Sequence, residues 1–250
     1  MKHRNLITIF YLFAMSALAG GCAGDDSPAE VPGATLSVRV TADGFAAEGD
    51  DRDPGSRATD SGYGTTFAAN DAIGVFVKNA DGSLHTDNLR IVRQSNGTWS
   101  ATIPYVKDAT YYAYYPHQSG MDGKTSVNAI LDALAAPGKD QSTTALYTAA
   151  DAMTATGTPN GSTLTLTFAF THARGMIEVS LPAEATPSLS FSDGVKPLAL
   201  GGKWRYLAVP GSTVTLSGSY TLSGTRYAIP ATGVTAPATA GRYKKVTIAP

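Results

Sequence analysis

Apolar and polar residues alternate with a period of two along most of this chain, the pattern of half-buried β-strands. In "ATLSVRVTA" (34–42), Leu36, Val38 and Val40 fall on one side, Ser37 and Arg39 on the other. "AIGVFVKN" sits between two turn-like stretches, "AND" and "ADG". "NLRIVRQ" and "TWSATIP" flank an Asn96-Gly97 hairpin signal, and "ATYYAYYP" gives a dense aromatic strand ending at Pro116. In "STLTLTFAFTH" the same rule puts Leu164, Leu166, Phe168 and Phe170 on one face, and "GMIEVSLP" continues it. "WRYLAVP", "STVTLSGSYTL", "TRYAIP" and "GRYKKVTIAP" complete the series. The last sets Tyr243, Lys245 and Thr247 against Lys244, Val246 and Ile248.

Helical periodicity is confined to a less regular stretch, 117–160, where "SVNAILDALAA" and "TALYTAADAM" are two short candidates and Pro137 closes the first. Residues 43–64 are laden with Gly, Asp, Ser and Arg, and their apolar residues show no period, so they read as an exposed loop. Pro182 and Pro187 mark a seam. The spacing of strands and turns predicts an all-β chain of two β-sandwich domains with a few short helices: 34–182 and 183–250.

The first 33 residues differ. Lys2 and Arg4 precede "LITIFYLFAMSALA" (6–19), apolar apart from Thr8 and Ser16. A spanning helix needs about 20 apolar residues, so this run is short for a membrane and right for a secretory signal, residues 1–21. The signal ends at Cys22, the sole cysteine, in a pattern similar to a lipobox, with Leu18 displaced one place by Ala19. Lipidation of Cys22 would anchor the chain in a membrane, with "AGDDSPAEVPG" closing a polar tether, 22–33.

Composition then removes several function classes. Net charge is −1, and loss of Lys2 and Arg4 with the signal makes the chain slightly more acidic, so no basic footprint for nucleic acid exists. Only 16% of residues are charged, too few for long surface helices. Of four histidines, His3 leaves with the signal, and His85, His117 and His172 are isolated, without metal-ligand spacing. No Gly-x-Ser-x-Gly elbow marks a nucleophilic serine. An EF-hand loop starting at Asp51 fails at Ser56 and Gly62. "NGT" (96–98) and "NGS" (160–162) fit the glycosylation sequon but serve better as turns. "YYAYY" is either a sugar-stacking platform or a strand with one face in the core. No enzyme activity and no cofactor are expected.

What remains is Arg57, in "GSRATDSG" among small flexible residues of the kind proteases cut. Cleavage between Arg57 and Ala58 would part the lipid, the tether and the first strand from everything downstream. Arg52 is a second candidate, disfavoured by Pro54.

Taken in order, the lipoprotein signal, "SRAT", "NDAIGVFV" following Phe67, "NGTWSA", "YYAYYP", "LTLTFAFTHARGMIEVSL", "VPGSTVTL" and "AGRYKKVTI" resemble the fimbrillins of Bacteroidales, lipoprotein-derived pilus subunits of the Mfa-like kind. The resemblance implies two transthyretin-like β-sandwich domains and export to the outer membrane through the lipid anchor. It also implies that an arginine-specific protease removes the first strand and that other pilin subunits supply a C-terminal strand in its place. Carried onto this chain, Leu36, Val38 and Val40 belong to the displaced strand, the cut falls at Arg57–Ala58, and Tyr243, Val246 and Ile248 are donor-strand candidates. Truncation at 243 is then expected to leave folded monomers. The other reading is a monomeric cell-surface lipoprotein that binds glycan or host protein without polymerising.

Overall fold

The computed structural model describes residues 33–48, 63–134 and 136–249. The signal, Cys22, nearly all of the tether, Arg57 and Ala58 lie outside the described residues. The described chain is all-β apart from two short helices, as the alternation predicts.

The first sheet has seven strands, in the order β4 (Leu84–Val92), β3 (Ala72–Lys78), β6 (Thr110–Tyr115), β7 (Met153–Asn160), β8 (Thr165–His172), β1 (Thr35–Ala42) and β5 (Thr102–Pro104). All seven strands send side chains into one core, among them Ile91, Val75, Tyr111, Met153, Phe168, Leu36 and Ile103. The sheet is therefore rolled around its own apolar face. A bridge between Arg93 and Trp99 draws the end of β4 toward the approach to β5. The outer face is covered in part by α1 (Val127–Ala133), whose buried Ile130 packs with Phe76 and Tyr114. Ser126 caps this helix, its hydroxyl oxygen accepting from the Ala129 N–H at 3.1 Å. Thr143 caps α2 (Thr144–Ala150) in the same way at 3.2 Å.

The second half is two sheets face to face. One holds β11 (Leu198–Leu200), β12 (Lys203–Ala208), β9 (Gly175–Ser180), β15 (Arg242–Thr247) and β2 (Ala46–Ala47). The other holds β10 (Thr186–Phe191), β13 (Thr213–Leu222) and β14 (Thr225–Thr235). Ile177, Val179 and Tyr206 of the first meet Val214, Leu216, Tyr220 and Ile229 of the second.

Four sequence readings change. The sheets exchange partners between β8 and β9, not at residue 182. "GMIEVS" lies before that seam, yet it pairs with β12 and β15. Prolines punctuate the chain locally, whereas the sheet membership of β9 is decided by partners 23 to 67 positions away. Leu164 does not join the row of Leu166, Phe168 and Phe170; it sits in the preceding turn at φ 48°, exposed, where the Thr163 N–H donates to Asn160 Oδ1. The region 117–160 is not wholly irregular, since "MTATGTPN" forms β7, whose Gly157 leaves room for Phe168, Leu166 and Tyr111. Finally, 43–64 is not all exposed loop, because Phe45 and Tyr63 are buried and Ala46–Ala47 pair with β15.

Candidate functional site

The residues expected to leave a groove on displacement do share one face. β1 alternates cleanly: Thr35, Ser37, Arg39 and Thr41 are exposed, Leu36 is fully enclosed, and Val38, Val40 and Ala42 are half-buried against the same core. The strand runs parallel to β8 from Ser37 opposite Thr165 to Ala42 opposite Phe170. Its ends are fixed: the Ser37 N–H donates to the Leu164 carbonyl at 2.9 Å, and the Asp43 N–H donates to the Phe170 carbonyl at 3.0 Å. On the other side β5 pairs only with Thr35, Leu36 and Ser37. Beyond Ser37, the outer edge of β1 faces an open groove of about 690 Å³, with Trp99 and Ala101 on its far wall.

From β1 the chain crosses to the five-stranded sheet, and the crossing is built from residues that gave no periodic signal. The Phe45 N–H donates to the Tyr63 carbonyl at 3.0 Å, and the Phe45 ring stacks on His172 with centroids 3.8 Å apart. His172, at the end of β8, is the hub. Its Nδ1 is 2.7 Å from Asp151 Oδ1, and its Nε2 is 2.9 Å from Thr65 Oγ1 and 3.0 Å from the Asp43 carbonyl oxygen. The groups follow the order of a hydroxyl-nucleophile triad, but Phe45 covers the ring and the Asp43 carbonyl shares Nε2. The arrangement ties three separate segments to the end of β8.

Tyr63 is the counterpart on the far side of the crossing. Its ring lies between Tyr243, stacked at 4.2 Å, and the Arg205 guanidinium at 4.3 Å. Its hydroxyl donates to Glu178 Oε1 at 2.7 Å, and Arg205 Nε donates to Glu178 Oε2 at 2.9 Å. Burial and the Glu178 bond push the Tyr63 phenol up to about 12, so it remains a donor at neutral pH. Burial alone would raise the pKa of Glu178. The hydrogen bonds from Tyr63 and Arg205 and the charges of Arg205 and Lys203 outweigh it, and the carboxyl is held below its ordinary value.

A carboxyl depressed in the folded state contributes stability above its unfolded pKa and loses it as pH falls through the folded one. Wild type should therefore lose stability from about pH 4.5 downward in a manner Glu178→Gln does not share. At neutral pH the Gln variant should cost about 2 kcal/mol, because Arg205 loses its charged acceptor. Thermal melts of the two proteins from pH 3 to 7 check both statements.

The donor-strand candidates do not share a face. Tyr243 packs with Tyr63, Phe45 and Met176, whereas Val246 and Ile248 pack into the core between the paired sheets. β15 lies parallel to β9, from Tyr243 opposite Met176 to Thr247 opposite Ser180. It is an inner strand of its own sheet, with β2 on its outer side at Arg242 and Tyr243.

The aromatic run is core on both faces. Tyr111, Ala113 and Tyr115 enter the rolled sheet, and Tyr114 lies under α1, leaving Tyr112 half-buried with Lys78 over its ring. It is not a platform for a sugar. His85 is exposed, and the His117 N–H donates to the Ala72 carbonyl. Asn96 and Asn160 both act as turn acceptors, as the sequence suggests. Among the described residues no group of three His, Cys, Asp or Glu is placed to hold a metal, and no helix is long and apolar enough to cross a membrane.

Comparison with known proteins fits this architecture. The family model described as fimbrillin-like matches residues 56–248, beginning after β1 and β2. A Bacteroides ovatus protein described as "Putative fimbrium tip subunit Fim1C" is 30% identical over 201 residues, which is 73% of this chain and 36% of Fim1C. The crystal structure of a fimbrial protein from Bacteroides ovatus superposes with a TM-score of 0.64 at 20% identity, over 86% of this chain and 49% of that one. The chain thus spans about a third of the curated relative and half of the solved one. Both relatives are described as fimbrial, and it is the Phe45 ring over His172 and the Asp43 carbonyl on Nε2 that make the Asp151–His172–Thr65 cluster a structural joint. On the family match over most of its length and the shared β architecture, the chain belongs to the fimbrillin-like family.

Proposed function

We propose that this protein is a structural subunit of a surface pilus, contributing to adhesion, exported as a lipoprotein through Cys22 and assembled by strand exchange. The supporting observation is the position of β1. It fills an interior place in the first sheet, with Leu36 fully enclosed, and its covalent link to the downstream chain runs through the crossing at Asp43–Glu48 and the sequence that holds Arg57. Cleavage between Arg57 and Ala58 by an arginine-specific protease would turn β1 into a separable strand. Its loss would bare the β8 edge and the apolar row Leu166, Phe168 and Phe170. An exposed row of that kind needs a replacement strand, which main-chain hydrogen bonds and alternate side chains can supply.

The replacement in this reading is β15 of a neighbouring subunit, with Val246 and Ile248 as the inward residues and Tyr243 outside that row. The subunit is read as two β domains bordering between β8 and β9. A head-to-tail contact of this type does not close and therefore extends as a filament. The lipid places the precursor in the outer membrane, and the assembled pilus stands at the cell surface. The test is the start of the processed protein: N-terminal sequencing from cells should read from Ala58, and recovery only of chains that begin at Cys22 would count against the proposal.

A further inference from the structure

β15 has an outer neighbour of an unusual kind. Outer strands among the described residues carry protection against pairing: β10 holds Pro187, β14 holds Pro230, β5 is three residues ending in Pro104, β11 is three residues long, and β4 exposes Asp87 and Arg90 and is irregular in its register with β3. β15 has no proline and relies on the charges of Arg242, Lys244 and Lys245, and among the described residues its outer edge is covered only at one end, by the segment that also carries β1.

That cover is specific. The Ala46 N–H donates to the Gly241 carbonyl and the Glu48 N–H donates to the Tyr243 carbonyl, both at 2.9 Å. Arg242 stands opposite Ala46 and Tyr243 opposite Ala47. Phe45, immediately before, is buried in the cluster that holds Tyr243 and Tyr63, and its ring is clamped on His172. The segment 35–48 thus gives one strand to the rolled sheet and a second to the five-stranded sheet.

We propose that Phe45–Glu48 is a latch on the C-terminal strand, so that departure of β1 not only opens the β8 edge but also loosens β15 from its own sheet. The functional meaning rests on the strand-exchange reading; the latch itself is a property of the single chain. With the latch gone, β15 becomes an edge strand along its whole length and loses the packing of Phe45 beside Tyr243. What holds it then is its ladder to β9, the burial of Val246 and Ile248 between the sheets, the stack of Tyr243 on Tyr63, the Ile248 N–H on the Ser180 carbonyl at 2.9 Å, and the Tyr220 hydroxyl on the Ala249 carbonyl at 3.1 Å. One event would prepare a subunit both to receive a strand and to give one.

Amide hydrogen exchange on the full chain tests this without any polymer. In a strand, N–H groups two residues apart point the same way, so Lys244 and Val246 face β9 with Ile248. On the same rule Leu166, Phe168 and Phe170 face β1, since the Leu164 and Phe170 carbonyls accept from it. In a variant combining Phe45→Ala, Ala46→Pro and Glu48→Pro, the Lys244, Val246 and Ile248 amides should exchange at least tenfold faster, while Leu166, Phe168 and Phe170 stay protected. Unchanged exchange in β15 overturns the latch. Equal acceleration in β8 and β15 also overturns it, because the segment would then be a general staple. If β15 loosens but a cut chain never oligomerises, strand exchange fails and the latch stands.

Discussion

Leu36→Asp should unfold the first sheet or come close to it. Leu36 is fully enclosed between β8 and β5, opposite Ile103. Truncating a buried leucine costs about 2–5 kcal/mol, and a carboxylate in the same place has no partner and cannot reach water. The sum approaches the whole stability of an ordinary domain, about 5–15 kcal/mol. Arg39→Gln, on the exposed side of the same strand, should stay within about 0.5 kcal/mol of wild type. Denaturant unfolding of the pair gives the comparison. Equal stability would mean that β1 does not hold the core, and an exchange of strands at that place would have nothing to drive it.

Deleting residues 243–250 is expected to destabilise the second half severely, which reverses the expectation of a folded monomer drawn from the sequence. The deletion takes an inner strand out of the five-stranded sheet. It removes Tyr243 from its stack on Tyr63, Val246 and Ile248 from the core between the sheets, and the acceptor of the Tyr220 hydroxyl. Three partly or fully buried apolar side chains at about 1.5–3 kcal/mol each put the loss on the order of 5 kcal/mol. Circular dichroism and a melt on the truncated chain would show it. A truncated protein with an unchanged melt would mean that β15 adds nothing to its own subunit, contrary to its burial. A loss of polymer after this deletion would therefore not single out β15 as donor.

Much of the fold was legible where period two is strong. β1 and β8 alternate in the structure as their residues do in sequence, from Leu36 to Val40 and from Leu166 to Phe170. Both helices begin where Ser126 and Thr143 precede the apolar residues. β7 was missed because Thr, Ala, Gly and Pro carry little hydrophobic contrast; its pairing with β6 and β8 makes it a strand. β10 was missed for a similar reason, with Pro187 reading as a break rather than an edge-strand residue. The joint was least legible. Phe45, Tyr63, Asp151 and His172 are far apart in the chain, and each alone looks like a loop aromatic or a lone polar residue. Their meeting depends on two sheets being brought together, which no local pattern encodes. The donor residues show the same limit: alternation already separated Tyr243 from Val246 and Ile248, while the resemblance grouped them as one strand.

The most direct measurement is where Val246 lies before and after the chain is cut. In the intact subunit it stands opposite Val179 of its own β9. With a photo-cross-linking residue at 246, the uncut lipid-free chain should give adducts within one molecule, on β9. After an arginine-specific protease has acted, strand exchange predicts chains that begin at Ala58, adducts between molecules on Thr165–Phe170, and a ladder of oligomers. Cut chains that keep β1 seated, remain monomeric and still cross-link only to their own β9 would contradict it.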